Sequence, residues 1–266
     1  QTFRWQYDDL RRPTHLWLRV GASDEILLER RYYGDDAGLA TPQTTNHRGQ
    51  LLALYDQAGL TDLGPYDFKA NLTASARTLA TVYNAPLDWS AIAAVASAAT
   101  AKTTVSAALE TETFTETRAY DALDRITSLK TPDSSDFLPS YNQAGLLESV
   151  SVKLRGAGTA TAFVNNLDYN ARGQRTKIEY ATGTNTEVTH DPLTFRMTRL
   201  LTNRSADSKN LQDLTYSYDP VGNVTAITDA AHDDVYFDNA VVSASQAFAY
   251  DALYRLLSAT GREHKS

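Results

Sequence analysis

Apolar and aromatic residues recur at every second position in "AFVNNLDYN" (162–170), in "TKIEYATG" (176–183) and through Leu214, Tyr216 and Tyr218 of "DLTYSYD". A period of two predicts strands of a sheet whose two faces differ. Each such run ends in a bend of constant wording. In "YDPVGNVTAITD" (218–229), Asp219 caps a turn through its side chain, Pro220 presets φ, and Gly222 closes the bend in the left-handed region. A type I turn followed by a left-handed glycine joins two antiparallel strands, and Val224 and Ala226 leave on an alternating pattern. The reading is a hairpin, and the chain repeats it.

Clear copies begin at Tyr120 (YDALDRITSL), Tyr141 (YNQAGLLESV), Tyr169 (YNARGQRTKI), Tyr218 and Tyr250 (YDALYRLLSA). Weaker ones begin at Tyr7 (YDDLRRPT), Tyr55 (YDQAGLTDL), Tyr66 (YDFKANLTAS) and His190 (HDPLTFRMTRL). The acidic second position is Asp56, Asp67, Asp121, Asp219 or Asp251. Gly59, Gly145, Gly173 and Gly222 hold the bend in four copies, and Asp124, which tolerates the left-handed region, in a fifth. Ala70 and Tyr254 fit that position poorly, which predicts turns there that are closed differently or strained. From Tyr120 onward the copies lie 21 to 32 residues apart, room for about two strands each. Uneven spacing argues against a tight fixed-rung solenoid and favours a curving ribbon of hairpins with loops of varying length. One stretch departs from the pattern. "PLDWSAIAAVASAATAKTTVSAALETE" (86–112) is rich in alanine, the best helix former, and predicts a short helix or helical hairpin starting near Trp89. Asp88 or Ser90 would cap it, and Ile92, Val95 and Ala96 would share a face. The organisation expected is therefore one continuous all-β domain: sheet over 1–85, a helical insertion over 86–112, and sheet again over 113–266.

These words resemble the RHS or YD repeat. "NHRGQLLALYDQAGL", "TPDSSDFLPSYNQAGLLESVSV", "DYNARGQRTKIEYATGT", "LQDLTYSYDPVGNVTAITD" and "YDALYRLLSATGREH" together resemble the B component of insecticidal Tc toxin complexes (TcB-like) across nearly the whole chain. The resemblance implies an antiparallel β-hairpin ribbon forming part of a hollow shell. With the C component it would enclose that partner's toxic C-terminal region until a channel-forming A component receives it. The A component would be met through a propeller of which this stretch has no sign. Such a complex is secreted, after assembly in the bacterial cytoplasm. Ala70 stands where the family word "YDFKGN" has glycine. Self-cleavage in such shells belongs to an Asp-rich motif at the end of the C component, and "YDPVGN" shares only "DP" with it.

Composition narrows the rest. A net charge of −7 with pI near 5.2 argues against nucleic acid and against an anionic membrane surface as partners. Without cysteine there is no disulfide framework, thiol nucleophile or zinc–thiolate site. No stretch of 18 apolar residues exists, so direct membrane insertion is not expected. The start at Gln1, with no Met or secretory leader, suggests a piece of a longer polypeptide. His15, His47, His190, His232 and His264 form no ligand spacing. "DAAHDD" (229–234) crowds Asp229, Asp233 and Asp234 round His232 but fits no EF-hand loop. "RGAGTATA" lacks the lysine of a phosphate loop, and Arg172, Arg175 and Lys177 fall within a strand pattern. The expectation is a structural, non-enzymatic protein without cofactor or metal. The alternative is a surface adhesion or carbohydrate-binding module, since rows of tyrosine can grip sugars.

Overall fold

The computed structural model describes residues 1–35 and 38–262. Eighteen of the twenty strands among the described residues join one antiparallel sheet, and nearly every strand pairs with its neighbour in sequence. By its internal contacts the chain divides into two units, 1–138 with 153–159, and 139–152 with 160–266.

The first unit contains β1 (Thr2–Tyr7), β2 (Pro13–Arg19), β3 (Ile26–Tyr33), β4 (Leu51–Asp56), β5 (Gly59–Leu63), β6 (Ala74–Ala80), α1 (Ala98–Thr104), β7 (Leu109–Tyr120), β8 (Ile126–Lys130) and the start of β9 (Asp136–Tyr141). Registers such as Arg30↔Tyr55, Tyr55↔Leu60 and Leu60↔Thr78 put Tyr55 and Leu60 on one face, and that face is covered. Residues 81–108, between β6 and β7, lie over it. Trp89, Ile92, Ala101 and Val105 pack against Leu27, Tyr32, Ala53, Tyr55 and Leu60. Trp89 is almost fully buried, edge-on to Tyr55 at 5.3 Å, and its indole N–H donates to the Asp56 carbonyl at 3.0 Å. The Asp88 carboxylate accepts from the backbone N–H of Leu27 at 2.9 Å and of Ser90 at 3.0 Å.

The expected helix is therefore later and shorter than its alanine content implies. Around Trp89 there is only a single 3-10 turn, Ser90–Ile92. The α-helix starts at Ala98, its first turn capped by the Ser97 hydroxyl, which accepts from the Thr100 N–H. Two causes combine. The indole must reach the sheet before a helix can begin, and so short a helix has little stability of its own. Its end is set by Thr103 and Thr104, whose hydroxyls bond back to the Ala99 and Thr100 carbonyls. Beyond Val105 and a 3-10 turn at Ser106–Ala108, β7 begins at Leu109, inside the stretch expected to be helical.

The second unit holds the end of β9, then β10 (Leu147–Lys153), β11 (Thr161–Tyr169), β12 (Arg175–Tyr180), β13 (Thr184–His190), β14 (Met197–Arg204), β15 (Lys209–Tyr218) and β16 (Val224–Asp229). A separate two-stranded hairpin follows, β17 (Val235–Phe237) with β18 (Ala240–Val242), and then β19 (Gln246–Tyr250) and β20 (Leu256–Thr260). Its stability comes from cross-strand pairs. Leu167↔Ile178, Val188↔Leu200↔Leu214 and Tyr216↔Ile227 form an apolar face. The other face carries Lys177↔Glu187, Glu187↔Leu201 and the Arg199–Asp213 ion pair at 2.6 Å. Among its described residues no helix covers the apolar face. A hollow of about 390 Å³ lies there, lined by Ile178, Tyr180, Val188, His190, Met197 and Leu200 among others.

Candidate functional site: the repeated tyrosine–aspartate turns

The repeated words fold into one device with two halves. The first half is the turn. In the copy at Tyr120, one oxygen of the Asp121 carboxylate accepts from the backbone N–H of Leu123 (2.8 Å) and of Arg125 (3.1 Å), while the other takes the Arg125 Nε–H at 2.7 Å. The backbone closes with the Asp124 N–H on the Asp121 carbonyl and the Asp121 N–H on the Arg125 carbonyl. The same clasp recurs with Asp67 and Asn71, Asp219 and Asn223, Asp251 and Arg255, and, with an amide in place of the carboxylate, Asn170 and Gln174. Asn142, after Tyr141, accepts the Leu146 N–H at 3.0 Å.

The second half is the tyrosine. In five copies the hydroxyl donates to the carbonyl of the first residue past an earlier turn. Tyr66 reaches Leu51 (2.7 Å), Tyr120 reaches Leu72 (3.0 Å), Tyr169 reaches Leu147 (2.8 Å), Tyr218 reaches Met197 (2.6 Å) and Tyr250 reaches Val224 (3.0 Å). Tyr33, outside any copy recognised in the sequence, does the same to Pro13 at 3.1 Å. Asp fixes a hairpin's own turn; Tyr fastens that hairpin to the one before it. Burial raises the phenol pKa of Tyr66 and Tyr218, which keeps these hydroxyls as donors.

Side-chain bonds from Asn71, Arg125 and Asn223 hold the carboxyls of Asp67, Asp121 and Asp219 below the ordinary aspartate value, and the Arg255 backbone N–H does so for Asp251. Asp133 belongs to a turn of the same build without a tyrosine, 131–135. Hydrogen bonds from the Thr131 hydroxyl, then the Ser135 backbone and hydroxyl, lower it to about 2. A depressed folded-state pKa gives stability that is complete above the unfolded value and is lost as pH falls through the folded one. Melting temperature should thus be level from neutral pH to about 5 and drop between about pH 4 and 2. A midpoint unchanged at low pH would show that the clasps do not hold the turns.

Two curated relatives match almost the whole chain. Toxin subunit YenC2 of Yersinia entomophaga is 30% identical over 273 residues, covering 99% of this chain and 27% of that subunit. Toxin subunit YenC1 of the same organism is 32% identical over 281 residues, 97% of this chain and 26% of that subunit. The chain therefore spans about a quarter of the length of these relatives. No family model matches it. Among solved structures, the TcdB2–TccC3 complex superposes with a TM-score of 0.79 at 26% identity over 98% of this chain and 12% of that one. The Photorhabdus luminescens Tc holotoxin pore gives the same values. Over nearly its whole length the chain is similar to RHS-repeat regions of Tc toxin B/C type.

Its almost wholly antiparallel β fold, like that of the Tc toxin structures it superposes on, is the one expected from the sequence. The sequence words pointed to the B component; the curated relatives carry the C designation, and the assignment common to both is the B/C type.

Within the RHS region several positions behave otherwise than the words suggest. Ala70 and Tyr254 adopt the same left-handed bend as the glycines, φ 68° and 61°, and so does Arg11 at 62°. The weak copy at Tyr7 has the full turn clasp: the Arg12 backbone N–H and Nε–H both bond Asp8, at 2.8 and 2.7 Å. Tyr55, Asp56 and Gly59 form a different turn. Gln57 and Ala58 alone connect β4 to β5, with Asp56 opposite Gly59. Tyr55 is buried in the core, its hydroxyl without a partner, and Asp56 pairs with Arg77. Sequence reasoning missed the sixth-position clasp residues, Arg12, Asn71, Arg125, Gln174, Asn223 and Arg255. Their signal was present: in six copies a polar side chain, Arg, Asn or Gln, stands one place after the bend.

The histidines are mostly structural. His47 is buried between the Thr45 hydroxyl and the Leu63 carbonyl, and His15 lies between Thr14 and the Ala93 carbonyl. His232 is 3.8 Å from Asp229, and no metal-holding group of three acids or imidazoles occurs among the described residues. His264 lies outside them. His190 occupies a tyrosine position and cannot make the hook; its Nδ1 is buried with no partner. By the register of the other copies the carbonyl awaiting a hydroxyl there is that of Arg175, the first residue of β12. His190→Tyr should therefore stabilise the chain by about 1 kcal/mol in denaturant unfolding, the net value of one such bond. No gain would mean that the hooks align hairpins without holding them.

Proposed function

We propose that the chain is a length of non-catalytic wall in a shell that encloses the toxic region of a Tc toxin before translocation. One observation carries this reading: in the repeat turns the chemistry-bearing side chains are used up in building the ribbon. The carboxylates of Asp8, Asp67, Asp121, Asp219 and Asp251 clasp their own turns, and the phenols of six tyrosines bind backbone. What they produce is a sheet with one apolar and one charged face. The apolar face of the second unit offers a non-native chain broad, weakly selective contact. Confinement behind such a wall keeps that chain from proteases and from the strand edges of other chains. The partners are the complementary RHS component with its enclosed toxic region and, through other parts of the shell, the A component. The TcdB2–TccC3 structures, in which two such components occur together, support the pairing. Neither nucleic acid nor membrane insertion enters the reading, and the site of action is extracellular, after assembly in the producing cell.

Two experiments test it. Added protease should spare the toxic region inside an intact complex and digest it once denaturant has unfolded this wall, at a lower denaturant concentration in Gly59→Val; survival behind an unfolded wall would refute enclosure. Purified chain should not cleave itself or hydrolyse glycans or esters. A turnover that survives repurification and is abolished in Asp229→Asn or His232→Gln would make it an enzyme.

A further inference from the structure

Three tyrosines of the second unit end their strands on the same kind of bond. Tyr169, Tyr218 and Tyr250 donate to the carbonyl of the residue that opens a neighbouring strand, Leu147 of β10, Met197 of β14 and Val224 of β16, at 2.8, 2.6 and 3.0 Å. Each phenol bridges from the end of one strand to the start of the strand beside it. β13 ends instead at His190, and the strand beside it, β12, opens at Arg175. An imidazole is shorter than a phenol and leaves that bridge unmade.

The hollow of about 390 Å³ on the apolar face lies where the bridge is missing, for His190 and Arg175 both line it. Its volume is near the lower end of the range for small-molecule sites, roughly 300–1,000 Å³. Ile178, Val188, Met197 and Leu200 supply apolar walls, and the pairings Val188↔Leu200 and His190↔Met197 bring β13 and β14 together there. His190 Nδ1 is buried without a hydrogen-bond partner, a costly state that a ligand hydroxyl would relieve. Either tautomer suffices. A hydroxyl donates to the bare nitrogen or accepts from the N–H.

We propose that this hollow seats one tyrosine side chain of the polypeptide laid against the apolar face. The walls select the body of the ligand and the nitrogen selects its tip. Four apolar side chains suit a ring, and the Met197 thioether favours an aromatic one. An aliphatic side chain would leave the nitrogen unmet, and an ammonium or carboxylate would lose its water to apolar walls. A phenol meets both demands, as the chain's own tyrosines do at the bridges beside it. The source of that tyrosine rests on the enclosing-shell reading; the site itself does not. What the seat adds is a point of selective grip on a face otherwise suited to unselective contact.

Titration of the 266-residue chain with N-acetyl-tyrosinamide tests the site. Met197 is the chain's single methionine, so its methyl NMR signal reports on the hollow alone. That signal should shift saturably, and N-acetyl-phenylalaninamide should bind about fivefold more weakly, the net value of one hydrogen bond. His190→Tyr, which fills the hollow with its own ring, should keep a cooperative melt and lose the binding. His190→Ala, which keeps the hollow and lacks the nitrogen, should bind the two amides alike. Equal affinities in the parent chain, binding that persists in His190→Tyr, or a tyrosine preference that survives in His190→Ala would each overturn the proposal. In the assembled complex, peroxide should oxidise Met197 severalfold more slowly than in the empty shell, and Tyr→Ser replacements in the toxic region should restore the rate. Protection already present in the empty shell, or none in the filled one, would overturn the enclosed chain as occupant. A complex that failed to shield its toxic region from protease would sink the container reading, and the preference for the tyrosine amide would still stand.

Discussion

Trp89→Ala should cost about 3–5 kcal/mol, the range for deleting a fully buried large aromatic from a packed core. The indole fills the space between the 81–108 segment and the sheet, touching Tyr55 edge-on, and its N–H is bonded to the Asp56 carbonyl. Removing it opens a cavity and leaves that part-buried carbonyl short of a donor at the same time. The loss should have a place as well as a size. Hydrogen exchange should accelerate across 86–108, and much less in the second unit, which contributes nothing to this core. Leu123→Ala is the matching control: an exposed leucine in the same unit whose truncation should change stability little. A Trp89→Ala variant within about 1 kcal/mol of the parent would mean that the segment lies on the sheet without being anchored to it.

The sheet was legible because two local signals agree along the ribbon. Strand alternation and turn chemistry point to the same hairpins, and neither needs a distant residue to be satisfied. The turn at Asp219–Gly222 is where the words put it, with its Asp bonded to the backbone N–H groups of Gly222 and Asn223. The left-handed bend at Ala70 and Tyr254 was not legible, because the residue's own preference does not decide it. In both copies the Asp carboxylate grips the backbone N–H groups on either side of the bend, Lys69 and Asn71 in one, Leu253 and Arg255 in the other. Those charge-assisted bonds outweigh the cost of roughly 1–2 kcal/mol for placing a side chain there.

Distance in sequence explains what else was hidden. The helix near Trp89 was misplaced because propensity is a local quantity, and the burial that overrides it comes from Leu27, Tyr55 and Leu60. The same holds for "YDQAG". Its letters match the repeat, yet Tyr55 spends its ring in the core and so hooks no earlier hairpin. The tyrosine hooks themselves span 15 to 48 residues, and no spacing rule within one copy reveals them. Only the recurrence of Tyr does.

Gly59→Val should be the most damaging turn substitution, at about 4 kcal/mol, summing backbone strain with overpacking. Gly59 has φ +126°, a region that L side chains rarely adopt, and it heads β5 opposite Leu79 of β6. A Cβ there would lie 2.3 Å from the Thr78 carbonyl oxygen and 2.7 Å from the Ala80 nitrogen. Both are backbone atoms of a strand held on its other side by β7, so relief requires β5 and β6 to part. Gly222 makes the comparison informative. Its φ is +118°, but the nearest atoms to an added Cβ belong to the Arg196 guanidinium, at 2.8 to 3.2 Å, the far end of a flexible side chain. Gly222→Val should therefore cost only the strain, about 1–3 kcal/mol. Denaturant unfolding of the two variants side by side separates the contributions. Equal losses would mean that conformation alone sets the penalty, and a smaller loss at Gly59 than at Gly222 would show that the β5–β6 contact is looser than these distances require.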